Sequence, residues 1–363
     1  MDVVRELTTR LVSTPSHDDE TVAGDRIERW LRDETDATVR RDDAGNVIAE
    51  RPAGGKGDDS LALVGHHDVV PPADRQVDAD GEYLVEERDG RLHGRGTADM
   101  KGALAAAMVA FRDAEPAVDL VFASFVGEED GGVGAQAAID EGFAPTWAVV
   151  TEGSTGYSAP GVTDVAVAHE GRRGSTIHAA GTAGHASRPA DAENAIYRAN
   201  DAVDIVRSLD APEATVLGTD LSGSIAVTEI EGGSAWNVTP EACSVTVDER
   251  TVPGDRADLE AVEAIEGVEW TVDQDLPPMA CGDPAFADRV LEAAADSQPG
   301  NPREVAKPHA TDAGWLAAAG TDCVVVGAAE PGEAHTATES VSLDVIDRCY
   351  EIYRAVAESA GDN

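Results

Sequence analysis

The chain has 363 residues, with 70 acidic against 27 basic side chains and a formal net charge of −43. That charge, carried with only three lysines (Lys56, Lys101, Lys307), argues against a nucleic-acid partner. Its dispersal along the whole chain, instead of in one tail, calls for salt to screen self-repulsion and so for a halophilic cytoplasm, the alternative being a soluble, acidic mesophilic protein.

The length exceeds the ~250–300 residues at which one core usually divides, so two domains are expected. Residues 2–34 have helical spacing around TPS, and ATVRRD and NVIAER flank the turn DDAGN as a hairpin. PAGGKGDDS is a loop, 60–65 a buried strand, and EYLVEERDGR a second hairpin. ADMKGALAAAMVAFRDA has the composition of a strong helix, with 98–110 as core. Strand 118–126, helix 131–141 and strand 146–151 make a β-α-β crossover. From 169 to 280 the order becomes β-α-β-β-α-β, the ferredoxin-like unit, with DRADLEAVEAI as its second helix. Helices near 284–297 and 311–319, a strand at 322–327 and the amphipathic VSLDVIDRCYEIYRAVAES restore the first pattern. The predicted fold is therefore an α/β domain at 1–168 and 281–363, interrupted by a ferredoxin-like α+β domain at 169–280.

Cys243, Cys281, Cys323 and Cys349 form no C-x-x-C pair and read as reduced core residues. No segment approaches the ~20 apolar residues of a membrane span, so the expectation is a soluble cytoplasmic protein without a membrane partner.

Several apolar runs end in potential metal ligands. LALVG meets His66, His67 and Asp68; VDLVFASFVG meets Glu128, Glu129 and Asp130; WAVVT meets Glu152; CVVVGAAEPGEA meets His335. In an open α/β sheet the site lies beyond the carboxyl ends of the strands, so these edges should converge. His66 and Asp68, two apart in extended backbone, share a face, one able to ligate and the other to fix the imidazole tautomer; His67 faces away. Asp99 follows the Gly-rich GRGTA and can bridge two ions. Glu128 and Glu129 point different ways, which suits one to ligation and one to general-base work. Two imidazoles and three carboxylates supply two divalent ions, with zinc favoured and cobalt or manganese compatible.

GHHDVVP, GRGTADMKG, GEEDGG, TEG and AHTATE resemble, in order and spacing, the co-catalytic zinc peptidases related to acetylornithine deacetylase, succinyl-diaminopimelate desuccinylase, aminoacylase and glutamate carboxypeptidase. The resemblance implies a catalytic zinc-peptidase-like domain with an inserted lid and dimerisation domain. It implies His66 and Glu152 on one metal, Glu129 and His335 on the other, Asp99 bridging, Asp68 orienting His66, and Glu128 as the base acting on a bridging water. GHASRPADAENAI is similar to the family's lid motif, which would place His185 in the partner's site of a homodimer as oxyanion stabiliser. Asn237 in WNVTP and Arg250 in VDER resemble the substrate-binding pair, although the family has an apolar residue where Glu249 stands. HATDAGW brings His309 and Thr311 forward as pocket residues, while helix N-capping by Thr311 or Asp312 accounts for that stretch equally well.

The implied activity is removal of an acetyl or succinyl group from an amino acid's nitrogen. Its alternatives are a dipeptidase or carboxypeptidase on the same scaffold and a catalytically silent metal-binding homologue. A paired-carboxylate glycosidase would leave His66, Asp68 and His335 without work. His17, His67, His93, His169 and His178 read as ordinary histidines. Arg172 and Arg173 read equally as anion-binding residues or as ion-pair partners.

Overall fold

A computed structural model describes residues 2–53 and 59–360; most of the expected PAGGKGDDS loop, residues 54–58, lies outside them. The described chain divides into two compact units, residues 2–168, 279–307 and 311–360 on one hand, and 169–278 with 308–310 on the other.

The first unit is built on a mixed nine-stranded sheet. At its centre lie four neighbouring parallel strands, in the order Asp119–Phe125, Ser60–His66, Trp147–Val150 and Asp322–Val325. These are the β-branched and aliphatic runs of the sequence. Leu61, Ala62, Leu63 and Val64 are all fully buried, as strands covered on both faces must be. The hairpin Thr38–Arg41 and Val47–Arg51 extends one edge in antiparallel register. On one face Ala135, Ala138, Ala313 and Leu316, from helices Val133–Asp140 and Asp312–Ala318, pack with Ala62, Val64 and Val150. On the other, helix Gly102–Asp113 lies against Ser60–His66 and Asp119–Phe125 beneath helices Asp2–Val12 and Leu343–Ser359. It is buried from Gly102 to Phe111, and its run of alanines lets neighbours approach on every side.

That helix begins later than the expected 98. Gly96 is left-handed (φ 83°), Asp99 and Met100 have non-helical backbone, and regular helix starts at Gly102. The amides of Ala98 and Asp99 donate to the Glu339 side chain instead of entering a helix.

The second unit has a fully antiparallel four-stranded sheet in the order Ser224–Gly232, Ala242–Thr251, Gly171–Ala180 and Val268–Leu276. This is the ferredoxin-like order. Strict alternation along Ala242–Thr251 turns Cys243, Val245 and Val247 into a core with Ile177, Ala199 and Val206. Helix Ala195–Ser208 begins under the cap of Asn194, whose side chain accepts from the amide of Ile196. The expected second helix is instead a 3-10 segment, Leu259–Ala264. Leu259 and Val262, three apart, both face the core, which a three-residue turn satisfies and a longer α-helix is not needed to satisfy. Two short pairings were not expected: Glu213–Val216 with Thr219–Ser222, and Gly184–His185 with Val238–Thr239.

Candidate metal centre

His66 is the last residue of its strand, Glu128 and Glu129 follow Phe125 by three and four residues, and Glu152 follows Val150 by two, so parallel neighbours deliver these side chains to the same sheet edge. The approach requires glycine at 65, where a Cβ would stand 2.6 Å from Met100 Cε and 2.8 Å from Thr151 Oγ1. Gly127, with φ 60°, lets the chain turn so that the two glutamates diverge. His335 comes from a loop and itself has φ 60°, a left-handed backbone that is uncommon outside glycine and typical of functional sites.

The ligand atoms converge in two groups, His66, Glu128 and Glu152, and Asp99, Glu129 and His335. Asp99 reaches both. Its Oδ1 is 3.3 Å from His66 Nε2, and its Oδ2 is 2.7 Å from His335 Nε2. His66 Nε2 is also 3.1 Å from Glu152 Oε1, and His335 Nε2 is 2.8 Å from Glu129 Oε1. Asp68 stands behind both groups: its backbone carbonyl accepts from His66 Nδ1 at 3.1 Å, its Oδ1 lies 3.2 Å from the same nitrogen, and its Oδ2 accepts from the amide of Glu129 at 3.0 Å. His67, though adjacent and buried, turns away to Ser124 Oγ at 2.8 Å.

Electrostatics follow from this crowding. Burial pushes the Glu128 carboxyl well above its ordinary value and, with help from Glu152, Asp312 and Glu129, outweighs His66. Burial would raise Asp68, but His66 and the Glu129 amide hold it at about 2. Hydrogen bonds to Asp99 and Glu129 lift His335 to about 10. Burial opposes a charge on His66, yet Asp68, Asp99 and Glu152 keep its pKa well above normal. Burial, helped by Lys101, His66 and Arg41, outweighs Asp68 and drives His67 down to about 3, which suits a neutral core histidine.

Four carboxylates thus face two imidazoles across gaps the size of a small ion's coordination edges. The nitrogen and oxygen donor set and Asp99's two-sided reach fit a pair of divalent cations, with His66 and Glu152 on one, Glu129 and His335 on the other, and Asp99 on both.

Residues 62–359 match peptidase family M20/M25/M40. The chain belongs to that family. It is 30% identical to an acetylornithine deacetylase of Myxococcus xanthus, over 88% of this chain and 86% of the relative. It is 27% identical to a succinyl-diaminopimelate desuccinylase of Xylella fastidiosa, over 99% and 98%. The fold is shared with aminopeptidase PepT of Bacillus cereus, at 20% identity, 98% coverage of both chains and a TM-score of 0.78. It is shared also with the M20 family metallo-carboxypeptidase Sso-CP2 of Sulfolobus solfataricus, at 14% identity, 99% coverage of both and a TM-score of 0.75. Family membership makes this M20 chain a hydrolase of amide bonds, in a family that works with two metal ions.

The other residues singled out from the sequence have defined places. His185 is exposed in the second unit, with Nδ1 2.8 Å from Ser187 Oγ, and pairs in register with Val238, next to Asn237. The Asn237 carbonyl accepts from the amide of Ala186. Arg250 donates from Nε to Asp248 at 2.9 Å, and Arg172 to the same carboxylate at 2.6 Å. Arg173 pairs with Asp275. Glu249 is buried and accepts from the amide of Ala257. Thr311 caps helix Asp312–Ala318. Sequence reasoning gave no site role to Arg95, Glu339 or Lys307 and took Asp312 only as a candidate helix cap; all four are buried. Burial raises Asp312 to about 7 and lowers Lys307, whose charge is favoured by Glu152, Asp99 and Glu128. A buried charge next to a catalytic motif was the signal available for them, but burial is not visible in sequence.

Proposed function

We propose that this M20 chain is a metal-dependent amidohydrolase that removes an acetyl or succinyl group from the nitrogen of an amino acid. The observation that carries the reading is Asp99, which offers one carboxylate oxygen to each histidine while Glu128, half-buried, converges with His66 and Glu152. Two divalent ions, zinc before cobalt or manganese, would polarise the amide carbonyl and acidify a water. Glu128 would act in its ionised form, taking a proton from that water, and the upward push of burial on its pKa would help it pass the proton to the leaving nitrogen. Asp68 holds the His66 ring so that Nε2 faces the centre. Arg250 and Asn237 bind the amino-acid part, Arg250 by its guanidinium on a carboxylate, and Thr311 lines the pocket. His185 stabilises the oxyanion in the partner's site of a homodimer.

The acyl-amino-acid reading is supported by the names of the relatives that span most of the chain. Four buried free cysteines suit a reducing cytoplasm, and the dispersed acidic charge suits high salt. Among the described residues no helix is long and apolar enough to cross a membrane.

The test is hydrolysis of N-acetylornithine, N-succinyl-diaminopimelate, other N-acyl amino acids and dipeptides in molar salt with zinc or cobalt. Metal-dependent release of one acid is the expected result. Turnover confined to dipeptides moves the assignment to a dipeptidase, and full metal binding without turnover on the panel removes the deacylase reading. Full activity of His185→Ala, or a monomer by sedimentation, removes the partner-site role.

A further inference from the structure

Glu339 lies four residues after His335, fully buried, and its side chain is occupied on both oxygens. Oε1 accepts from the amides of Ala98 at 3.0 Å and Asp99 at 3.2 Å; Oε2 accepts from Arg95 Nη1. Arg95 is itself buried and donates from Nη2 to the carbonyl of Pro71, just beyond the His66–Asp68 segment. The Glu339 carbonyl accepts from the amide of Gly94, closing a second link between the same two stretches.

These contacts solve a problem set by the local backbone. Between Gly96 and Gly102 the chain is neither strand nor regular helix, so the amides of Ala98 and Asp99 have no ladder partner and would be orphaned in a buried place. A carboxylate reaching from another segment supplies both acceptors at once. We propose that Glu339, clamped by Arg95, is a positioning residue that sets the distance between the bridging carboxylate Asp99 and His335, and thereby the affinity of the metal pair.

The reason is connectivity. Asp99 and His335 are far apart in sequence, and their side chains meet at 2.7 Å. Glu339 binds the backbone of the first and belongs to the loop of the second. Neither residue is held there by the sheet that positions His66 and Glu152. The Arg95 guanidinium compensates the carboxylate in a site where an unpaired charge would be costly, so the clamp adds no net charge beside the centre. The inference rests on the metal-centre reading above.

The test is cobalt titration of the full-length metal-free protein against a competing chelator, followed by the visible absorption of bound cobalt. The comparison is between wild type, Glu339→Gln and Glu339→Asp. Gln is isosteric but presents an amide donor to Arg95; Asp keeps the charge but is one methylene too short to span the amides and Arg95 together. Both are expected to weaken at least one of the two cobalt ions, by about 10–100-fold for Gln, and to change the absorption bands. Wild-type affinity and spectrum in folded variants would overturn the clamp and leave the metal centre intact. A wild type that binds no cobalt overturns both. Should Glu339→Gln not fold, Glu339→Asp and Arg95→Lys decide, with unchanged cobalt affinity in both refuting the proposal. A role in folding alone predicts a lower Tm for the metal-free variants with an unaltered cobalt spectrum.

Discussion

The two ends of the metal centre use the same chemistry on different supports. His66 closes a buried strand, its side chain is 1% exposed, and Asp68 holds its far nitrogen. His335 sits on a loop in left-handed backbone with its side chain 51% exposed. At the first end the sheet supplies position, and at the second His335 Nε2 meets the carboxylates of Asp99 and Glu129. A strand end places its ligand through the sheet and leaves only the ring to be oriented by Asp68, whereas a loop ligand depends for its position on contacts from outside the sheet.

The sharpest way to break that comparison is Glu128→Ala. A base beside the buried end predicts a fall in kcat of roughly 10²–10⁴ with both metal ions retained. Since Glu128 also converges with His66 and Glu152, loss of one ion along with turnover would make it a ligand of that end and not the base. Metal content by elemental analysis, measured beside the rate, distinguishes the two.

Asp68→Asn should affect both ends together, because one carboxylate oxygen faces His66 and the other holds the Glu129 amide. The expected loss is about 10–100-fold in metal affinity or activity. An effect confined to one ion would show that the ends are not coupled through Asp68.

His66→Ala and His335→Ala should each reduce binding from two ions to one, but differ in stability. Removing His66 strips buried carboxylates of their partner and should lower the Tm of the metal-free protein by several degrees. Removing the half-exposed His335 should cost clearly less, because solvent screens its pairs. Equal Tm losses in calorimetry would contradict the contrast between sheet-held and loop-held ends.

The mildest effect is that of pH on the loop-held end. In the metal-free fold His335 titrates at about 10 instead of 6.5, so its stabilisation is complete below about 6.5 and is lost as pH rises through 10. For metal ions the sign reverses. The ring must give up its proton to ligate, so affinity should climb with pH across that window, by up to about tenfold per unit for each proton displaced. Zinc affinity that stays flat between pH 6 and 9 would show that His335 carries no such proton.

Much of this was legible in sequence because buried parallel strands are apolar throughout. A polar residue directly after such a run has to lie at the sheet's edge, and that places His66, Glu128, Glu129 and Glu152 without coordinates. The choice of His66 over His67 also follows from strand alternation, and His67 does turn to Ser124. The start of the helix at Gly102 was not legible, since the alanine-rich stretch has high propensity from residue 98 onward. A carboxylate from the opposite end of the chain overrides that propensity at Ala98 and Asp99.

The sequence by itself therefore determined the acidic surface, the two alternating patterns of secondary structure and the residue types gathered at the strand ends. These depend on composition and on periods of two and 3.6 residues, which are local. Only the tertiary structure decided that Asp99 divides its oxygens between two histidines, that Asp68 faces both ends, and that Glu339, paired with Arg95, accepts from the Asp99 amide. Those are distances between segments as many as 244 residues apart, set by how the sheet and its loops close on one another.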